Sequence, residues 1–101
     1  MKNYKITRPD DAIGLDEWNR IIESLDCLQA MPDRIMINPF TKEKMVASGE
    51  GRAYYLENGN LVGAIIFEDG ELHASKVPPV VCEIISKRLE AGYYEFEDDR
   101  T

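Results

Sequence analysis

The residues in this chain that could do nucleophilic or metal chemistry are few: one histidine, His73, and two cysteines, Cys27 and Cys82. A Ser/His/Asp or Cys/His set would have to be built on His73. That histidine lies within a strand-like run, Glu71 to Ser75, rather than on a glycine-rich elbow, and no nucleophile–base pairing is visible around it. It reads as a histidine on a sheet face. Structural zinc sites take closely spaced cysteine pairs. Cys27 and Cys82 are far apart and fall on two separate helical stretches, where free cysteine behaves as a small core hydrophobe. Glu68-Asp69-Gly70-Glu71 resembles a fragment of a calcium loop, but the remaining ligand positions are missing. Ser48-Gly49-Glu50-Gly51 is too short for a phosphate loop and has no lysine. No catalytic residue, metal ligand or cofactor site is therefore expected, and the chain does not read as an enzyme.

Charge is the stronger signal. Nineteen acids face twelve bases in 101 residues, a net charge of -7. Such a surface repels nucleic acid and anionic membranes and favours basic partners, besides keeping the protein soluble. The imbalance is uneven: residues 1–49 carry a net -1 and residues 50–101 a net -6. Hydrophobic residues make up 44%, enough for one modest core, so a single domain over residues 1–101 is expected, with an acidic tail at about 97–101. The first residues show no signal-peptide core, the longest apolar run (Leu61 to Phe67) is too short to span a bilayer, and the thiols lack paired motifs. A cytoplasmic location is the simplest expectation.

The elements follow from periodicity and punctuation. Lys2 to Arg8 alternates as a strand. Leu15, Trp18, Ile21, Ile22, Leu25 and Leu28 recur at helical spacing up to Pro32, with Trp18 as the core anchor beside Ile22 and Leu25. Arg34 to Ile37 and Lys44 to Ala47 form a strand pair around the Asn38-Pro39 turn, and Ser48 to Gly51 is a flexible link. Asn58-Gly59 and Asp69-Gly70 each supply the positive φ angles of a tight hairpin turn, which makes residues 54–75 an antiparallel meander. Pro78-Pro79 opens a second helix with the stripe Val80, Val81, Ile84, Ile85 and Leu89, closed by Gly92 as a C-cap. Tyr93 to Phe96 is a last strand. The fold expected is α+β, a mostly antiparallel sheet of about five strands with two helices on one face.

Tight turns also predict register. Leu56 opposes Leu61 and Tyr55 opposes Val62; Phe67 opposes Leu72 and Ile66 opposes His73. One face then carries Tyr54, Leu56, Leu61, Ile65, Phe67, Leu72 and Ala74 as core. The other carries Ala53, Tyr55, Val62, Ala64, Ile66, His73 and Ser75, either covered by the N-terminal strand or tail or left open as an interaction surface.

Four segments in order, Ile13-Gly14-Leu15-Asp16-Glu17-Trp18, Asn38-Pro39-Phe40-Thr41-Lys42-Glu43, Phe67-Glu68-Asp69-Gly70-Glu71 and the late helix with its acidic end, resemble a family of small bacterial proteins that is similar to immunity proteins. Gly14 stands where such chains favour a serine-like cap, and Ala64-Ile65-Ile66 where they favour aromatic residues. The resemblance implies a protein that neutralises a toxin domain by direct binding, with a basic toxin domain as partner. The expected contacts are the turn acids Glu68, Asp69 and Glu71, the tail acids Glu97, Asp98 and Asp99, and Tyr55 as an aromatic anchor. The competing expectations are a regulatory or adaptor module, monomeric or homodimeric through the open sheet face, and a small enzyme whose pocket gathers His73 with carboxylates.

Overall fold

The structure, a computed structural model, describes residues 3–96. Its elements in chain order are β1 (Asn3–Thr7), α1 (Leu15–Ser24), β2 (Leu28–Ala30), β3 (Arg34–Ile37), β4 (Lys44–Ala47), β5 (Arg52–Glu57), β6 (Asn60–Glu68), β7 (Glu71–Ser75), α2 (Pro79–Arg88) and β8 (Gly92–Phe96). The six-stranded sheet has the order β2-β5-β6-β7-β1-β8, with every neighbouring pair antiparallel. β3 and β4 pair only with each other, as a separate two-stranded hairpin. The fold is α+β, as the residue pattern predicts, with one strand more in the main sheet than expected.

The meander is built by its turns. Asn58 and Gly59 have φ of 51° and 81°, and Asp69 and Gly70 have 51° and 78°, the left-handed pair that a two-residue hairpin needs. Beyond the first turn the register departs from expectation. Leu56 does oppose Leu61, but Tyr55 opposes Gly63, so Val62 is an extra residue in β6. Such a bulge turns every preceding residue of the partner strand to the other face. Ala53 and Tyr55 therefore lie in the core, and Tyr54 lies outside it. A Cβ at Gly63 would strike the carbonyl oxygens of Ser75 and Lys76, so this position of β6 admits only glycine at its present spacing.

Both helices cover the same face of the sheet. Trp18, Ile21 and Ile22 from α1 and Val81, Cys82, Ile85 and Leu89 from α2 join Ile6, Leu28, Ala53, Ile65 and Leu72 in one buried cluster. Trp18 is fully buried, and its Nε1–H donates to the Gly51 carbonyl at 3.1 Å. The helix around Trp18 is shorter than its periodicity predicts. It ends at Ser24, and Leu28 enters β2, where it faces Tyr55. In α2 the buried stripe runs through Val81, Cys82, Ile85, Ser86 and Leu89, leaving Val80 and Ile84 exposed. Small side chains at Cys82 and Ser86, whose hydroxyl donates to the Cys82 carbonyl at 2.7 Å, bring that stripe close to the sheet. Gly92 does not cap α2. Glu90 takes the left-handed turn, at φ 53°, and Gly92 already belongs to β8.

Arg8 ties the helices to the sheet. Its guanidinium donates to both Glu17 carboxylate oxygens, at 3.2 and 2.9 Å, to the Leu89 carbonyl at 3.0 Å and to the Ala12 carbonyl at 2.8 Å. Glu17 also accepts from the Gly14 amide at 2.8 Å, one half of a capping box whose other half glycine has no side chain to supply. The Arg8 guanidinium and the Gly14 N–H hold the Glu17 carboxyl below the usual carboxylate range.

Candidate functional site

Two surfaces are left over once the core is accounted for: the outer face of the sheet and the β3–β4 hairpin. On the outer face, cross-strand partners line up in a row from Arg52 through Ile66, His73 and Lys5 to Tyr94. A second row runs Tyr54, Ala64, Ser75, Asn3 and Phe96. The N-terminal strand does not cover this face; it is β1, inside the sheet between β7 and β8. Among the described residues the face stays open.

On it lies a shallow concavity of about 600 Å3. Ile66 and Phe96 supply its apolar lining from β6 and β8, with Asn3, Lys5, His73 and Ser75 of β1 and β7 between them, and Glu68, Asp69 and Glu71 stand around the β6–β7 turn at one end. Glu71 faces Lys5 Nζ at 3.9 Å and His73 Nε2 at 3.7 Å. Lys5 also lies over the Phe96 ring, 5.4 Å from its centroid, and His73 meets that ring edge-on at 6.0 Å. Glu68 and Asp69 have no ion pair or hydrogen bond from a side chain among the described residues and present their charge to solvent. Three acids against Lys5 leave the concavity negative.

Of the residues expected to bind a partner, Glu68, Asp69 and Glu71 are thus brought together at the rim of this concavity. Tyr55 is not with them. The Val62 bulge sends its ring to the core face, where it is 6% exposed and its hydroxyl donates to Glu57 Oε1 at 3.1 Å. Burial and the neighbouring Glu57 carboxylate push that phenol above its usual pKa. Tyr55 has no ring surface to offer a partner; Tyr54 and Tyr94 are the tyrosines of the outer face. Glu97, Asp98 and Asp99 lie outside the described residues. Among those residues no three His, Cys, Asp or Glu side chains are grouped to hold a metal ion. Cys82 is fully buried, and desolvation pushes its thiol up to about 11. No helix among them is long and apolar enough to cross a membrane.

The hairpin is the surface that residue patterning did not single out. Its strands pack on each other and barely on the rest of the chain. Alternation puts Ile35, Ile37, Lys44 and Val46 on one side and Arg34, Met36, Met45 and Ala47 on the other. The second side borders a cleft of about 220 Å3 against the body, and Arg34 reaches the Tyr54 hydroxyl at 3.4 Å. On the first side Ile35 and Val46 are 70% and 67% exposed. At the tip, Phe40 is 94% exposed.

The arm is nevertheless well ordered by its own bonds. Asn38 Oδ1 accepts from the Phe40 and Thr41 amides at 2.8 and 3.3 Å, and the Lys42 amide donates to the Asn38 carbonyl at 2.7 Å, with Lys42 at φ 57°. Its base is not the flexible link expected of Ser48 to Gly51. The buried Gly49 donates to Asp33 Oδ1 at 2.7 Å, and a Cβ there would strike the Met31 carbonyl, while Gly51 accepts from Trp18 and Phe67. The arm is also basic. Residues 34–47 hold Arg34, Lys42, Lys44 and one acid, Glu43, so the total of -7 divides into +2 on the arm and -9 elsewhere.

Comparison with known proteins gives no match to a protein-family model, to a curated protein or to a solved structure.

Proposed function

We propose that this chain is a binding protein that takes a basic protein domain on its acid-rimmed sheet face, and that it neutralises a toxin in the manner of bacterial immunity proteins. The observation that carries the reading is the open concavity itself, lined by Ile66 and Phe96 among polar side chains and bordered by the solvent-facing charges of Glu68 and Asp69. Acids without partners at the rim of an open concavity steer a basic ligand in and fix its orientation, while Ile66 and Phe96 offer it apolar contact. The acidic balance of residues 50–101 supports the sign of the partner. The part played by the toxin rests on the resemblance of the four sequence segments.

The test is retention of a basic protein from an extract of the native cells on the immobilised chain, identified by mass spectrometry. The variant carrying Glu68→Lys, Asp69→Lys and Glu71→Lys loses that protein, and its association rate with the purified partner falls about ten-fold or more and becomes insensitive to salt. Retention that ignores both charge reversal and salt would leave these acids as solubilising groups. A toxin-bearing gene immediately upstream identifies the partner class; without one, the regulatory reading takes its place.

A further inference from the structure

The arm does not suit the partner just described. A basic domain repels a surface of charge +2, so the arm calls for an occupant that is apolar and acidic. It does not find one in its own body, since Ile35, Ile37 and Val46 are all exposed and the base of the arm is locked by the Asp33–Gly49 bond. The molecule carries a surface of that sign: the concavity of the sheet, with Ile66 and Phe96 in its lining and acids at its rim. We propose that the arm docks in the concavity of a second copy of this chain, and that the two copies exchange arms reciprocally.

Three features carry this. The first is charge: Lys42 and Lys44 meet the rim of Glu68, Asp69 and Glu71, opposite signs on surfaces that in one molecule are separate. The second is closure. Each copy carries one arm and one concavity, so a two-fold exchange satisfies both pairs and stops at two chains. The third is area. The four exposed apolar residues of the free side and tip, Ile35, Ile37, Phe40 and Val46, at roughly 100 Å2 each, offer on the order of 400 Å2 per copy. Two arms with the surfaces they cover reach on the order of the 1,200–2,000 Å2 of a stable interface. The arm loses little freedom on docking, because Asn38 already orders its tip. A basic partner and the arm of a second copy then compete for one rim, yet self-association needs no such partner and stands or falls apart from it.

The experiment is sedimentation velocity on the intact chain over a concentration series at low salt. The expected mass rises with concentration from 11.5 kDa to twice that value. The arm variant Lys42→Glu with Lys44→Glu, and the rim variant Glu68→Lys, Asp69→Lys and Glu71→Lys, each self-associate about ten-fold more weakly or worse, because like charges now face each other. Mixed one to one they form a heterodimer within about three-fold of the wild-type affinity, since the reversed arm now meets the reversed rim and the wild-type arm the wild-type rim. Circular dichroism melts of both variants check that the exposed substitutions leave the fold intact. A mass that stays at one chain throughout, a variant that still dimerises, or a mixture that fails to pair would each overturn the proposal.

Discussion

The body and the arm are made of similar residues and put them to opposite use. In the body, Ile6, Ile65, Leu72 and Ile85 are wholly buried between the sheet and the two helices. In the arm, Ile35, Ile37 and Val46 form an equally apolar stripe with nothing on it. The hydrophobic effect explains the first arrangement as folding and cannot explain the second that way, because an exposed side chain gains nothing from being apolar. Hydrogen bonds then separate the two further. The body is stabilised by packing, while the arm is shaped by local bonds from Asn38 and Asp33 that hold an apolar surface out in water. Stability should therefore reside in the body, and the apolar stripe of the arm should contribute to docking and not to folding.

The sharpest test of the body is Trp18→Ala. It leaves a large void between α1 and the sheet and removes the bond to Gly51, so unfolding by urea should show a loss of about 3–5 kcal/mol. A loss under about 1 kcal/mol would mean that the core does not centre on Trp18. Next comes Gly63→Ala, which forces a methyl group into the carbonyl oxygens of Ser75 and Lys76 and should cost about 1–3 kcal/mol. An unchanged melting curve would show that the Val62 bulge, and with it the burial of Tyr55, is misplaced.

That bulge explains much of what the residue pattern did and did not reveal. Asn58-Gly59 and Asp69-Gly70 were legible because few residues tolerate positive φ, and the two turns alone predict the meander. Val62 was not legible, since an extra apolar residue inside an apolar run leaves no mark on alternation. Its consequence was to exchange Tyr54 and Tyr55 between the faces. Leu28 fits a helical period and a strand equally well, so spacing alone places it on the helix and hides β2. Turn chemistry and charge place Glu68, Asp69 and Glu71 together at the β6–β7 turn, where they line the concavity, whereas residues 34–47 read as a strand pair and not as a surface. Nothing in residues 34–47 says that the Ile35, Ile37 and Val46 side of the hairpin stays uncovered. Arg8 gave no signal at all, because its partners Glu17 and Leu89 are brought to it only by the fold.

Arg8 leads to a smaller effect, confined to acid. The Glu17 carboxyl is held below its ordinary pKa, chiefly by Arg8 and then by the Gly14 amide. A group depressed in the folded state adds stability that is complete above its unfolded pKa and disappears as pH falls through the folded value. Glu17→Gln should accordingly melt lower than wild type near neutral pH, and the gap should close as the solution is acidified below the usual carboxylate range. A gap that is constant with pH would assign the loss to packing rather than to the ion pair.

The smallest change in stability is expected in the arm, and it is the one that separates the two regions most cleanly. Phe40 touches almost nothing, so Phe40→Ala should alter the free energy of unfolding by no more than about 0.5 kcal/mol. An aromatic ring held out on an ordered turn has the form of an anchor for a pocket on another molecule, and truncating such an anchor costs about 1–3 kcal/mol of binding. Self-association of the Phe40→Ala chain should then weaken about ten-fold while its melting temperature stays that of the wild type. Asn38→Ala should act in the same direction without removing any apolar surface, because it unties the turn and leaves the arm to be ordered at the moment of docking. If Phe40→Ala instead destabilises the fold, the arm is part of the body and its apolar face has a structural use. If it changes neither stability nor association, the contact is made by the Ile35, Ile37 and Val46 stripe alone, and the tip only closes the hairpin.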